Sequence, residues 1–354
     1  MKSLEQHGSV SDISVDSELN SAVLERVPDL SDDSKFSFEV NFSQFDEKAR
    51  EVWEEVKGDS RAQRYIQALD EFYSFVDQPS TEDMPAPAKK LADNEYMKSS
   101  DARDRHARAA ISALLIHKKR ELSSAKSPEQ AKADAAELVE QVKSQPIVIN
   151  YQPGSVSAIL DSGRVKNQFE TGYGTWEDLD GRSFSEALTS GVSPTTPSSQ
   201  RPIYGTVAVD GVNTFTRYTL PYGGVRLVLK DSVKDRSTVT AGDSFERRHV
   251  GSPARNPDPT MFPKADQENG YQFYVEAQVL GGLPIEDIEE LILTDDGANL
   301  PSRNREFVEL MEKADSLGVK TRFLTLAEDY STRELTREEY VARLAAFSED
   351  EGTA

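Results

Sequence analysis

The residue whose setting first suggests chemistry is Glu276. It lies in the run YQFYVEAQVLGGLPIEDIEELIL (271–293), with Phe273, Tyr274 and Val275 before it and Val279 and Leu280 after it. An ionised carboxylate in so apolar a strand is costly unless it faces a cleft or accepts hydrogen bonds, and burial pushes its pKa upward. A carboxylate held in that way is a candidate for chemistry. Strand alternation alone equally allows an edge-strand glutamate facing solvent, and the residue pattern supports both readings. Upstream stand Tyr204 in RPIYG (201–205) and the hydroxyls Thr238 and Thr240 in STVT (237–240). Taken singly, these are ordinary strand residues, and Gly242-Asp243-Ser244 is first of all a turn.

Other chemistries are excluded or unsupported. The 354 residues contain no cysteine, so disulfides, thiolate nucleophiles and cysteine zinc sites are ruled out. The four histidines, His7, His106, His117 and His249, are too scattered for a metal pair, and no metal site is read from the sequence. No nucleophile elbow accompanies His249, and neither a phosphate-loop signature nor a Gly-x-Gly-x-x-Gly fingerprint is present. A formal net charge of −21 argues against direct nucleic-acid binding by the molecule as a whole. No run approaches the roughly 20 apolar residues of a membrane-spanning helix, so no membrane partner is expected.

The elements that must position these residues fall into two regimes. Residues 1–35 are rich in Ser, Asp and Glu and read as a disordered acidic tail; FSFEVNF (36–42) alternates like a strand or an anchoring segment. Helical periodicity then carries Val52, Trp53 and Val56, and, past Gly58, Tyr65, Leu69, Phe72 and Val76. A basic helix follows over 100–122, and Ser127-Pro128-Glu129-Gln130 opens another that runs to about Lys143. Beyond Pro146 the sequence turns β-rich, with strands expected at Ile147–Tyr151, Tyr204–Val209, Gly224–Leu229, around Tyr274 and around Leu291. Asp287, Glu289 and Glu290 read as a solvated helical face, and Arg201 as a surface partner for an acid. Phe307, Leu310, Met311 and Ala314 lie on one face of a helix that stops at Gly318, and Thr336 with Glu339 forms a capping box for a terminal helix. The expected organisation is α+β: a tail (1–35), a helical domain (36–144), a β-rich domain (145–330) and a C-terminal helix and tail (331–354).

Four segments in order, SGRVKNQFETG (162–172), RPIYG (201–205), YGGVRLVLKDSVKDRSTVTAGDS (222–244) and YVEAQVLGGLPIEDIEEL (274–291), resemble ADP-ribosyltransferase-like domains of actinobacterial proteins and their phages. In phages such domains can be attached to head-morphogenesis or minor-capsid proteins. The resemblance covers roughly Ile147 to Leu324. It implies a split β-sandwich with flanking helices that takes NAD, as substrate, in a cleft between two small sheets.

Such domains place an Arg or His early, a hydroxyl residue in the middle and a Glu late, on separate strands. By resemblance the catalytic set is Glu276, Tyr204 and Thr238, and NAD contacts fall to Gln152, Asn150, Gln168, Phe169, Arg201, Thr240 and Gln278. Asn150-Tyr151-Gln152 stands where His or Arg is expected, so Gln152 would hold the ribose or amide by hydrogen bonds alone. In a shifted register Gln278 takes the place of the late Glu. Tyr204 and Phe169 are aromatic enough to stack on nicotinamide. Two functions follow: mono-ADP-ribosyl transfer to a protein target, or a phage head-associated interaction protein whose transferase-like domain is inactive. Partners would be the modified protein or capsid proteins docked on the helical part, and the location the host cytoplasm or the virion.

Overall fold

The computed structural model describes residues 54, 58, 60–84, 86–103, 106–107, 128–171, 182–183, 185–187, 190–215, 219–242, 244, 251–259, 274–295, 304–327 and 330–350. The acidic tail, the 36–42 run and most of the basic helix lie outside them. The helices Ser60–Val76 (α1), Ala86–Ala92 (α2) and Pro128–Ser144 (α3) precede the switch to strands, which falls between Ser144 and Ile147. Thereafter come β1 (Ile147–Tyr151), α4 (Pro153–Ser162), β2 (Arg164–Val165), the single turn α5 (Gln168–Thr171), β3 (Ile203–Val207), β4 (Val225–Leu229), β5 (Ser237–Ala241) and β6 (Ser252–Pro253). The chain closes with β7 (Val275–Val279), β8 (Leu283–Pro284), β9 (Ile288–Asp295), α6 (Asn304–Ser316), β10 (Lys320–Leu326), β11 (Thr332–Leu335) and α7 (Arg337–Asp350).

Nine strands form one mixed sheet in the order β11-β10-β9-β4-β1-β3-β7-β5-β6, and β2 pairs separately with β8. Among the described residues only β9 and β10 pair in parallel, joined by the α6 crossover that a parallel pair requires. Within the nine-stranded sheet the β1–β3 ladder is short. The β1–β3 ladder consists of two pairs, Ile147↔Val207 and Val148↔Thr206. Beyond it β1 keeps pairing with β4 as far as Tyr151↔Val225, and β3 with β7 as far as Ile203↔Val279.

Strand alternation sorts the two faces. In VEAQV, Val275, Ala277 and Val279 join the main apolar cluster, whereas Glu276 and Gln278 point to the opposite face. The same alternation in IVINY, IYGTV, VRLVL and STVTA sends Ile149, Val207, Leu227 and Val239 to the core. Helices cover this side: Val156 and Leu160 of α4, Phe307, Leu310, Met311 and Ala314 of α6, and Tyr340 and Leu344 of α7. Leu69, Phe72 and Val76 of α1 and Val139 and Val142 of α3 belong to the same cluster, so helical and β-rich parts share one core. Lys234, 2% exposed, adds a polar tie by donating to Lys143 O at the end of α3 (2.6 Å).

The capping box before α7 forms as the sequence indicates: Glu339 N donates to Thr336 Oγ1 (3.1 Å) and Thr336 N to Glu339 Oε2 (2.8 Å). The expected helical acidic face at 287–290 does not. Asp287 closes a short 3-10 turn and pairs with Arg236 (2.6 Å), while Glu290 is a buried β9 residue paired with Arg322 (2.8 Å). The strand wins because Leu291 and Leu293 alternate into the core between β4 and β10. The edge strand β11 was not expected either, since its TREL segment has a single buried apolar residue, Leu335.

Candidate functional site

On the face away from the helices, the ladders align two rows of side chains. Arg226 pairs with Asn150, and Tyr204 with Gln278, which pairs in turn with Thr238. In the next row Val148 pairs with Thr206, Thr206 with Glu276, and Glu276 with Thr240. Tyr204 and Thr206, which share this face in the middle of the sheet, stay partly exposed, whereas their β5 and β7 neighbours are buried.

Glu276 is 9% exposed and Gln278 is fully buried. Gln278 works as a bridge: its Oε1 accepts from Thr238 Oγ1 (2.8 Å), and its Nε2 donates to Thr240 Oγ1 (3.2 Å) and to Glu276 Oε1 (2.8 Å). Ser244 adds its backbone N–H (3.3 Å) and its hydroxyl to the same Glu276 oxygen. Ser190 Oγ lies 3.3 Å from Thr238 Oγ1, tying the 182–190 segment to this face. These partners fix the carboxylate at the rim of the cluster, while the Gln278 amide is enclosed and carries no charge. Glu276 and Gln278, the two alternatives within EAQ, share this face, and Glu276 is the one that carries a charge.

A second carboxylate, which the sequence reading missed, stands beside it. Glu186 is 1% exposed and pairs with Arg201 Nη1 (2.8 Å), itself fully buried and donating through Nη2 to Pro194 O (2.8 Å). Arg201 is therefore not a surface residue; burial against the Phe169 ring, 4.2 Å from its guanidinium carbon, holds it inside. The Tyr204 hydroxyl donates to Glu186 Oε1 (3.1 Å), and Arg182 lies 4.6 Å over the Tyr204 ring. Burial raises the Glu186 carboxyl, opposed by the charges of Arg201 and Arg182. Burial also pushes the Tyr204 phenol well above its ordinary value, with the negative charges of Glu186 and Glu276 adding to it. Tyr204 is thus a protonated donor locked on Glu186. One face each of Tyr204 and Phe169 is taken by a guanidinium, so a stacked ligand has only their other faces.

The remaining expected residues are placed elsewhere. Asn150 is spent structurally, donating to Gly223 O (3.3 Å) and accepting from Arg226 Nε (3.1 Å). Gln152 is the N-cap residue of α4, at the far end of β1 and two strands from Glu276. Gln168 is exposed on α5. Glu186, Arg182, Ser190 and Ser244 carried no local signal: in RSFSEALTSG (182–191) an acid at helical spacing reads as solvated. Among the described residues no group of three or more His, Asp or Glu is placed to hold a metal ion, and no helix is long and apolar enough to cross a membrane.

No family model matches the chain. It is 31% identical over 162 residues to the Gene 2 protein of Mycobacterium phage L5, covering 38% of this chain and 60% of that protein. It is 28% identical over 188 residues to the Gene 2 protein of Mycobacterium phage D29, covering 46% of this chain and 66% of that one. The matched stretches span less than two thirds of either relative's length. The chain is therefore a phage-related α+β protein, similar to these two mycobacteriophage proteins over part of their length.

Proposed function

We propose that this chain is an NAD-dependent mono-ADP-ribosyltransferase that modifies a protein target, with Glu276 as its charge-stabilising residue. The observation that carries the reading is the buried Glu276 carboxylate, held by Ser244 and Gln278 next to the partly exposed Thr206 of β3, with Tyr204, Thr238 and Thr240 on the same face. Cleavage of a nicotinamide–ribose bond develops positive charge on the ribose, as glycoside hydrolysis does. A preorganised carboxylate stabilises that charge. In the overall transfer nicotinamide leaves, a nucleophilic side chain of the target forms the new bond to the ribose carbon, and that nucleophile's proton passes to solvent. Gln278 and Ser244 position the carboxylate, and Glu186 fixes the direction of the Tyr204 hydroxyl.

One observation favours a second reading, a phage head-associated interaction protein with an inactive domain of this type. β1 offers no cation, and its Asn150 is consumed by Gly223 and Arg226. The experiment that decides is NAD cleavage by the purified full-length chain, with and without acceptor proteins from the host. Glu276→Gln keeps the size and the hydrogen bonds and removes the charge. Turnover should fall on the order of 100- to 1,000-fold with little change in stability. A wild-type chain that neither binds nor cleaves NAD rejects the enzyme reading; an active Glu276→Gln variant rejects only the residue.

A further inference from the structure

Three charged side chains converge on one phenol. The Tyr204 hydroxyl donates to Glu186 Oε1 at 3.1 Å. The Arg182 guanidinium carbon lies 4.6 Å from the centre of the Tyr204 ring, and its N–H groups donate to the phenol oxygen. The Glu276 charge acts on the same phenol. The ladder accounts for that reach: Tyr204 pairs with Gln278 and Thr206 with Glu276, so Tyr204 and Glu276 are diagonal neighbours on one face. Such neighbours are roughly 7–8 Å apart, within the span of long side chains.

The two arginines of this cluster are committed differently. Arg201 is fully buried, and its Nη atoms are spent on Glu186 and Pro194 O. Arg182 is partly exposed, as are Tyr204 and Thr206 beside it. Its segment is pinned at two points further on, by Glu186 to Arg201 and by Ser190 to Thr238. Those anchors set where Arg182 stands, and the cation–π contact with Tyr204 holds its head group there. A guanidinium reachable from solvent is thereby kept on the face that carries Glu276.

Transfer to a protein needs a nucleophilic side chain near the ribose carbon whose charge Glu276 stabilises, and a guanidinium nitrogen is such a nucleophile. A nucleophile already tethered at the site reacts without the cost of bringing a second molecule to it. We infer that the chain modifies itself, with Arg182 as an acceptor in cis for the ADP-ribosyl group. This rests on the transferase reading and adds to it an acceptor class, the guanidinium. The bond between nicotinamide and the ribose carbon breaks, and its electron pair leaves with nicotinamide. A guanidinium nitrogen of Arg182 forms the new bond to that carbon and releases one proton to solvent.

The test incubates the full-length chain with NAD and no other protein, then maps modified residues by mass spectrometry with electron-transfer fragmentation. One ADP-ribosyl group on Arg182 is expected. In a mixture of wild type with an excess of tagged Glu276→Gln, only the wild-type chain should carry the group, because the transfer is intramolecular. Arg182→Lys keeps a cation at this position but removes the guanidinium, and should lower incorporation by about tenfold or more. If that variant does not fold, mapping of the wild type decides alone. An unmodified Arg182 in the wild type, or modification of the tagged chain in the mixture, overturns the inference. Nicotinamide release is read in parallel with host proteins added: release there, with Arg182 unmodified, keeps the transferase reading, and no release under either condition rejects both.

Discussion

Gln278 donates its side-chain amide to Glu276, two residues earlier on the same strand, across 2.8 Å. Alternation puts the two on one face of β7, and both are buried. The amide holds the carboxylate while its own oxygen is held by Thr238. Gln278→Leu keeps the bulk but removes the acceptor of the Thr238 hydroxyl and the amide donor to Thr240 and Glu276. Urea unfolding should show a loss of about 1–3 kcal/mol, the cost of buried polar groups left unmade. An unchanged midpoint would mean that the bridge is not formed in solution.

Glu186 and Arg201 form an ion pair with both side chains essentially inaccessible. Removing one partner leaves a buried charge, so Glu186→Leu or Arg201→Met should each cost about 3–5 kcal/mol. The double variant should cost clearly less than the sum, and a double-mutant cycle on chemical denaturation reads the difference. Strict additivity would show that the pair is not coupled.

The phenols give a pH signature. Burial pushes Tyr151 to about 12 and Tyr204 well above its ordinary value. Both groups are raised in the folded state, so the stability they contribute is complete below about 10, the unfolded value, and is lost as pH rises through the folded values. Ultraviolet titration should find these two tyrosines un-ionised in the native protein at pH 10–11. Stability measured over that window should fall with rising pH, and less steeply in Tyr151→Phe.

The shared core makes a prediction about truncation. A fragment beginning at Gln145 takes away Leu69, Phe72, Val139 and Val142, uncovers the apolar surface they pack on, and removes the Lys143 carbonyl from Lys234. Burial of one large apolar side chain is worth about 1.5–3 kcal/mol. The fragment should keep its sheet signal in circular dichroism but melt well below the full chain. Equal melting temperatures would establish the β-rich part as an independent unit.

What the sequence by itself determined is what depends on near neighbours in the chain. Alternation in VEAQV, STVTA and IVINY set which residues face the helices, and Thr336 with Glu339 marked the start of α7, because strand and cap geometry are fixed within a few residues. The odd carboxylate Glu276 was legible for the same reason: its neighbours alone make it expensive. The tertiary structure decided which polar groups meet. Arg201 finds Glu186 15 positions away, Asn150 finds Arg226 76 positions away, and Ser244 reaches Glu276 across 32. No local pattern encodes those distances. They follow from strand order, which brings β1, β3, β4, β5 and β7 side by side, and from the cost of burying a charge, which is met only once a partner from another element arrives.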